Sequence, residues 1–351
     1  MRQNRRFRQP TLTGFEPKTP SLRQISDAVR DGGVTALPSA VLKADKVQYQ
    51  ETICRSALNK VVGMPFAWTL NPYRGCTHGC HYCFARRYQS HLELDAGDTF
   101  SSVILVKVNF ADVLRRELRR AAWRPASVAF GTATDPYQPI EGRYELSRRT
   151  LKVLLDHPTP VGLITKGPLV IRDADLLAEL GRRTKCTVYV SVPTTDLDAW
   201  EKLEPGTAPP SQRLRAVSQL AARDIDVGVL MAPLIPGITS QRAKLDSTLR
   251  AIADSGARFV GTNILHLDGG TRDHFMKFLT ENYPALLKGY ERLYRGKYAR
   301  SDYVNKIQAL VNTIQAAYMP KYNRSVKVGD SQQVTTNGRG STQGQTKLNW
   351  G

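Results

Sequence analysis

Cysteine is scarce in this sequence, with only 5 residues among 351. Three of them, Cys76, Cys80 and Cys83, fall within eight positions, while Cys54 and Cys186 are isolated. The three clustered cysteines are too few and too close together to form a disulfide framework. We therefore expect free thiols in a reducing compartment, where cysteines stay available to bind metal.

Long apolar runs are also missing. No stretch approaches the roughly 20 apolar residues that a membrane-spanning helix needs. The basic start, MRQNRRFRQP, lacks the apolar segment that follows the charged part of a secretory leader. These absences predict a cytoplasmic protein that does not enter a membrane.

Acidic residues are outnumbered, since 50 Lys and Arg stand against 31 Asp and Glu, for a formal net charge of +19. A field of this sign attracts polyanions, so nucleic acid is one expected partner. Arg115, Arg116, Arg119 and Arg120 lie on a predicted helix and would form a basic stripe there. The alternative is that these charges cover solvated helix faces, because no discrete nucleic-acid-binding motif is present.

The clustered cysteines can converge on one soft-metal centre. A structural zinc site usually adds a distant second pair of ligands, so zinc here would have to recruit His78 or His81 from the same loop. An iron-sulfur cubane normally takes four thiolates. Three cysteines would leave one iron open to a substrate or cofactor.

Apolar, β-branched runs alternate with helical patterns from residue 66 onward, and this order predicts a parallel sheet with helices outside. We count the run at 103–108 among these strands. Either an open sheet or an incomplete (β/α) barrel fits the pattern. The predicted organisation is an N-terminal arm (1–60), a barrel (61–270), a C-terminal helical extension (271–323), whose tyrosines we expect to pack, and a disordered tail (324–351).

The run NPYRGCTHGCHYCFARRY at 71–88 contains C-x3-C-x2-C with Tyr82 before the third cysteine, and it resembles the signature of the radical S-adenosylmethionine (SAM) superfamily. The resemblance implies a [4Fe-4S] cluster on Cys76, Cys80 and Cys83, with SAM chelating the open iron. Its reductive cleavage would give a 5′-deoxyadenosyl radical that abstracts hydrogen from a substrate. The implied fold is a partial (β/α)6 barrel, with the cysteine loop after the first strand.

In such a barrel the site lies at the carboxyl ends of the strands. Polar groups there become candidates for holding SAM: Thr132, Thr134 and Asp135 for its amino group or ribose, and Lys166 for its carboxylate. Ser191 is a further candidate contact, and Tyr82 and Ile235 are candidates for contact with adenine. Arg213 is a second candidate for the carboxylate.

The segments TDPYQPIE, ITKGPLVIRD and LEPGTAPPSQRL narrow the resemblance to the spore-photoproduct-lyase-like branch, whose members are described as relatives of DNA repair photolyases. That lyase carries a cysteine after strand two, where this chain has Thr132, Ala133 and Thr134. Tyr137 is then a candidate hydrogen donor. The resemblance implies a one-electron reductant such as flavodoxin or ferredoxin.

We expect a monomer or weak oligomer that acts on nucleic acid. The alternatives are a radical enzyme that modifies a peptide or small molecule, and a zinc-stabilised nucleic-acid-binding protein.

Overall fold

The structure is a computed structural model that describes residues 20–32, 41–42, 47–92, 97 and 99–319. The predicted tail, 324–351, and the first 19 residues of the predicted arm lie outside this range. None of the described helices is long and apolar enough to cross a bilayer.

Eleven strands form two sheets in the described part of the chain. They are β1 (Val41–Leu42), β2 (Gln48–Thr52), β3 (Leu58–Lys60), β4 (Trp68–Leu70), β5 (Tyr73–Arg74), β6 (Val103–Lys107), β7 (Val128–Phe130), β8 (Val161–Thr165), β9 (Cys186–Ser191), β10 (Asp226–Leu234) and β11 (Val260–Ile264).

The described α-helices follow the strands in alternation over the middle of the chain. They are α1 (Leu22–Gly32), α2 (Thr99–Ser102), α3 (Phe110–Leu118), α4 (Glu141–Tyr144), α5 (Leu146–Asp156), α6 (Ala174–Arg183), α7 (Leu197–Leu203), α8 (Pro210–Ala221), α9 (Arg242–Asp254), α10 (Gly270–Asn282), α11 (Leu287–Leu293) and α12 (Ser301–Tyr318). Short 3-10 helices span Phe84–Leu92, Pro168–Asp173 and Pro284–Leu286.

The larger sheet has seven strands in the order β11-β10-β9-β8-β7-β4-β3. The six strands from β4 to β11 in this order pair in parallel, and β3 joins antiparallel at the edge. All three residues of β7 and five of six in β9 are buried, as expected for strands covered on both faces. This confirms the expected α/β fold with a partial (β/α)6 barrel.

The run at 103–107 is not a barrel strand, and our count of it among them was wrong. It forms β6 in the smaller sheet, in the order β1-β2-β6-β5, where it pairs in parallel with β2. Both faces of β6 are covered: Val103 and Leu105 pack against α1, and the opposite face packs on Tyr73 and Ile140. Because any doubly covered strand reads as a continuous apolar run, the sequence cannot tell which sheet it joins.

The C-terminal helices complete the layer outside the sheet. Helix α12 packs against α9, and α10 lies beside the 3-10 helix that follows the cysteine loop. Tyr290 and Tyr294 are buried as expected, whereas Tyr298 is 53% exposed. The first two tyrosines therefore belong to the core, and the third lies at the surface.

Candidate active site

A cavity of about 230 Å³ lies at the carboxyl ends of the parallel strands. The cysteine loop forms one wall, and the residues that follow β7, β8, β9 and β11 form the others. The lining includes Cys76, His78, Cys80, Tyr82, Cys83, Phe84, Thr132, Thr134, Asp135, Lys166, Ser191, Ala232, Pro233, Asn263 and His266. This is the end at which parallel barrels place their active sites.

The three clustered cysteines are free thiols that line this one cavity. The loop turns sharply at Gly75, whose φ of +79° and position close to the Val103 carbonyl leave no room for a side chain. Arg86 braces the loop from inside: its Nε donates to the Cys80 carbonyl (3.0 Å) and Nη2 to the Gly79 carbonyl (2.7 Å). The loop is therefore fixed by backbone contacts that do not consume its thiols.

The donor set fits an iron-sulfur cluster better than zinc. Within the described residues, no three Cys, His, Asp or Glu side chains converge closely enough to hold a single ion. A structural zinc site takes four ligands on one ion, whereas a cubane takes each thiolate on a different iron, so the three loop thiolates suffice for a cubane with one open iron. A zinc site would need His78 or His81 as a further ligand, so the contacts of these two residues bear on the choice between the metals.

Both histidines are committed to other partners. His78 is buried with Nδ1 3.3 Å from Asp135 Oδ2, and His81 lies flat on Phe278 with Nδ1 3.0 Å from His274 Nε2. Burial lowers the pKa of His78, but the neighbouring Cys76 and Asp135 outweigh it and raise the pKa to about 10. A zinc site would therefore have to break one of these contacts to recruit a histidine as its fourth ligand.

Lys166 and Tyr82 meet at a buried charge network on the cavity wall. Glu204 accepts a hydrogen bond from the Tyr82 hydroxyl and another from Arg213 Nη2 (2.5 Å), and its Oε1 lies 3.9 Å from Lys166 Nζ. The Lys166 ammonium also sits 5.7 Å from the centre of the Tyr82 ring. One carboxylate therefore contacts three of the predicted SAM-binding side chains.

The charges in this network support one another. Burial disfavours the charged form of Lys166, yet the negative charges of Cys80 and Glu204 raise its pKa. Burial likewise disfavours the Glu204 carboxylate, but Arg213 and Lys166 hold its pKa below the usual value. The Glu204 carboxylate thus favours the charged form of Lys166 in the cavity wall.

Asp135 and Thr134 line the cavity but also tie its walls together. Asp135 accepts from the Thr165 hydroxyl (2.6 Å) and the Lys166 amide (2.6 Å), and Thr134 donates to the Gly75 carbonyl (2.7 Å). Burial acts to raise the pKa of Asp135, but His78 and these hydrogen bonds lower it to about 2. Thr132, which accepts a long hydrogen bond from Asn71, lies next to them.

Three predicted site residues do not reach the cavity. Arg213 is buried behind it, where it donates to the Ser191 and Ala208 carbonyls and to Glu204. Its guanidinium therefore holds the wall and is not placed to bind SAM directly. Ile235 is also buried outside the lining, because the register of β10 shifts after Met231 and presents Ala232 and Pro233 instead.

Tyr137 points away from the cavity as well. Its side chain is 2% exposed, and its hydroxyl donates to Asp173 Oδ2 (3.0 Å). The structure thus does not place the hydroxyl where a substrate radical could meet it. Among the described residues, the cavity lining includes no cysteine beyond the three of the loop.

Some site residues were missed from the sequence. Glu204 sits in LEPGTAPP, a segment noted only as part of the resemblance, and Arg86 follows the motif as one more basic residue. Asn263 and His266 at the end of β11 could have been found by extending the strand-end rule to the sixth strand.

A partial barrel of six parallel strands, with three free thiols and a partly buried lysine at its carboxyl ends, is the arrangement of an enzyme that depends on a metal cofactor. The sequence profile of the Radical SAM superfamily matches residues 70–252, more than half of the chain. The chain belongs to this superfamily and is a radical SAM enzyme, with a [4Fe-4S] cluster and SAM as its cofactors.

The chain also has sequence relatives in other organisms. An uncharacterized protein of Mycobacterium tuberculosis is 40% identical over 278 residues, which cover 78% of this chain and 82% of the relative. The radical SAM Nalpha-GlyT isomerase of Pseudomonas phage M6 is 25% identical over 174 residues, or 48% of this chain and 33% of that protein.

A solved structure shares the fold. Spore photoproduct lyase complexed with dinucleoside spore photoproduct superimposes with a TM-score of 0.60 at 15% identity, covering 88% of this chain and 86% of the lyase. At this identity the similarity establishes the fold alone.

Proposed function

We propose that Cys76, Cys80 and Cys83 bind three irons of the cluster and that SAM lies in the adjoining cavity, where the enzyme acts on a nucleotide of a nucleic acid. The observation that carries the first part is that three free thiols line one cavity whose wall also contains the partly buried Lys166. The cofactor pair supplies a 5′-deoxyadenosyl radical, which can remove hydrogen from a C–H bond.

We assign different parts of SAM to different side chains of the cavity. The Lys166 ammonium would bind the carboxylate, and Thr132 after β7 and Ser191 at the end of β9 would offer hydroxyls on either side of β8. Ala232 and Pro233, together with the Tyr82 ring, supply apolar surface for adenine. Because Glu204 and Arg213 fix this wall from behind, the lysine and the ring are oriented before SAM arrives.

The nucleic-acid part rests on charge and on relatives. The chain carries a net charge of +19, which favours polyanions. A protein with the same fold is named as a complex with a dinucleoside photoproduct, and a sequence relative is named a Nalpha-GlyT isomerase. We do not extend the lyase's own repair route to this chain, because no cysteine lies between β7 and β8 and Tyr137 faces elsewhere.

The surroundings of the reaction follow from its chemistry. We infer a reducing, cytoplasmic location, a flavodoxin or ferredoxin as electron donor, and a monomer or weak oligomer as the working state. The cluster must receive one electron for each SAM cleaved, and thiols must stay reduced to hold iron.

Deuterium transfer tests the substrate class. Reduced, reconstituted enzyme would be incubated with SAM and either perdeuterated oligonucleotides or a perdeuterated peptide mixture, and 5′-deoxyadenosine would be analysed by mass spectrometry. We expect deuterium in 5′-deoxyadenosine from the oligonucleotides only. Transfer from the peptides alone would replace the nucleic-acid substrate with a peptide while leaving the radical SAM chemistry intact.

A further inference from the structure

Two aromatic pairs lie where the cavity opens to solvent. Phe84, which lines the cavity and is 38% exposed, contacts Tyr88 edge to face with ring centres 6.2 Å apart. His266, which also lines the cavity from the end of β11, lies against Tyr298 at 5.7 Å. Exposed aromatic rings at the entrance of a cavity are surfaces on which planar groups stack.

A cation accompanies each pair. The Arg87 guanidinium lies 5.1 Å from the centre of the Tyr88 ring, and Lys297 Nζ lies 5.1 Å from the centre of the Tyr298 ring. Arg87 also pairs with the half-exposed Asp268 (3.1 Å), which ties the two sides of the opening together. No described carboxylate forms an ion pair with Lys297.

These side chains form one surface, which we call the rim. The rim consists of Phe84, Arg87, Tyr88, His266, Lys297 and Tyr298. Burial lowers the pKa of His266, and the neighbouring cations Arg87 and Lys297 lower it further, with Asp268 opposing them. The His266 ring is therefore held as a neutral aromatic surface between the two cations.

We propose that the rim binds a single nucleotide unit of an unpaired strand, with the base stacked on Phe84 opposite His266 and the backbone phosphates facing Arg87 and Lys297. The proposal rests on the proposed function, because it assigns the substrate side of the same cavity. Alternating aromatic rings and cations match the alternating bases and phosphates of a strand. A base that reacts inside a cavity must leave the duplex stack, so an unpaired strand or an extruded base fits this opening.

The experiment separates stacking from charge. Anaerobically reconstituted wild type and variants would be titrated, at several salt concentrations, against a fluorescein-labelled 12-nucleotide single-stranded DNA and against the same strand made abasic at its central positions. Phe84→Leu keeps the apolar volume and removes the aromatic face. We expect it to weaken binding of the normal strand by about five- to hundredfold, the range of one base–aromatic contact, and to leave the abasic strand unchanged.

Matched variants complete the test. Phe84→Tyr should keep wild-type affinity, and His266→Leu, far from the cysteines in sequence, should repeat the selective loss. Lys297→Gln should weaken both strands and lower the salt slope by about 0.7, the contribution of one phosphate contact. Arg250→Gln removes the cation of the Arg250–Tyr318 pair on the outer helices and should change neither strand. Equal iron content shows that the Phe84 variants keep the cluster.

The outcomes are distinct. If Phe84→Leu and His266→Leu bind both strands as the wild type does, the rim is not a stacking surface, even where deuterium transfer shows a nucleic-acid substrate. If neither the wild type nor any variant binds either DNA strand, and the wild type transfers deuterium from peptides, then both the proposed role of the rim and the proposed nucleic-acid substrate are wrong.

Discussion

The two ends of the parallel sheet are built from similar residues and use them differently. At the carboxyl ends, charged side chains are buried and bonded to one another, as in the Lys166–Glu204–Arg213 network. At the amino ends a cleft of about 640 Å³ also collects charges, but Arg182 pairs with Glu179 and Arg258 with Asp224 at the surface. Moving one charged side chain out of water into the protein costs roughly several kcal/mol of free energy, even after the protein relaxes.

Cysteines show the same contrast. Three thiols share the cavity at the carboxyl end, whereas Cys186 is the one cysteine among the described residues that line the amino-end cleft. The comparison indicates that the residues suited to metal chemistry lie at the carboxyl end, and paired variants at the two ends test this.

The largest contrast should come from the cysteines. Cys80→Ala removes a cluster ligand, so anaerobically reconstituted protein should lose most of the roughly four irons expected per cluster. Cys186→Ala should retain them. Iron and sulfide analysis of both variants checks the pair, and equal iron loss in both would contradict the contrast.

The second largest contrast should come from a buried and an exposed carboxylate, whose removal should change the free energy of unfolding by different amounts. Glu204→Gln leaves Arg213 and Lys166 without their buried counter-charge and should lower the free energy of unfolding by about 3–5 kcal/mol. Glu179→Gln at the amino end breaks an exposed pair and should leave stability nearly unchanged. Anaerobic urea unfolding measures both, and a small effect at Glu204 would show that the network is dispensable.

The lysines at the two ends form the third pair. Lys166→Met would remove the charged hydrogen bond that we propose for the SAM carboxylate, which should weaken SAM binding by roughly ten- to hundredfold. Lys185→Met in the amino-end cleft should bind SAM as the wild type does. Anaerobic calorimetry gives the two affinities, and unchanged binding in Lys166→Met would remove this residue from the SAM site.

Glycines give the smallest contrast. A Cβ at Gly206 would lie 2.0 Å from the Thr77 carbonyl of the cysteine loop, so Gly206→Ala should destabilise by about 1–3 kcal/mol. Gly181, in α6 beside the amino-end cleft, has no atom within 4 Å of the same position. Gly181→Ala should stabilise the helix by about 0.5–1 kcal/mol. Thermal unfolding of both variants should therefore shift in opposite directions.

The parts of this molecule that are local in sequence could be predicted. The cysteine spacing predicted the family, and the alternation of strands and helices predicted a parallel sheet, because each pattern lies within short segments; the family resemblance then favoured the barrel. The polar strand ends predicted Lys166, Ser191 and Thr132 as lining residues, since parallel strands bring their carboxyl ends together.

The predictions that the structure corrects concern the direction of a side chain or the segment against which a residue packs. Ile235 was displaced by a register shift in β10, and Arg213 turns inward because Glu204 is buried beside it. Tyr137 lies in a tight turn that directs its hydroxyl to Asp173. Such long-range pairings leave no periodic signal in a single sequence.

The most direct test of the central claim is SAM cleavage by paired cysteine variants. Reconstituted, dithionite-reduced wild type and Cys186→Ala should convert SAM to 5′-deoxyadenosine and methionine, and Cys80→Ala should form neither above background. Cleavage by Cys80→Ala at the wild-type rate, or no cleavage by well-reconstituted wild type, would contradict the assignment of the radical centre to the carboxyl end of the sheet.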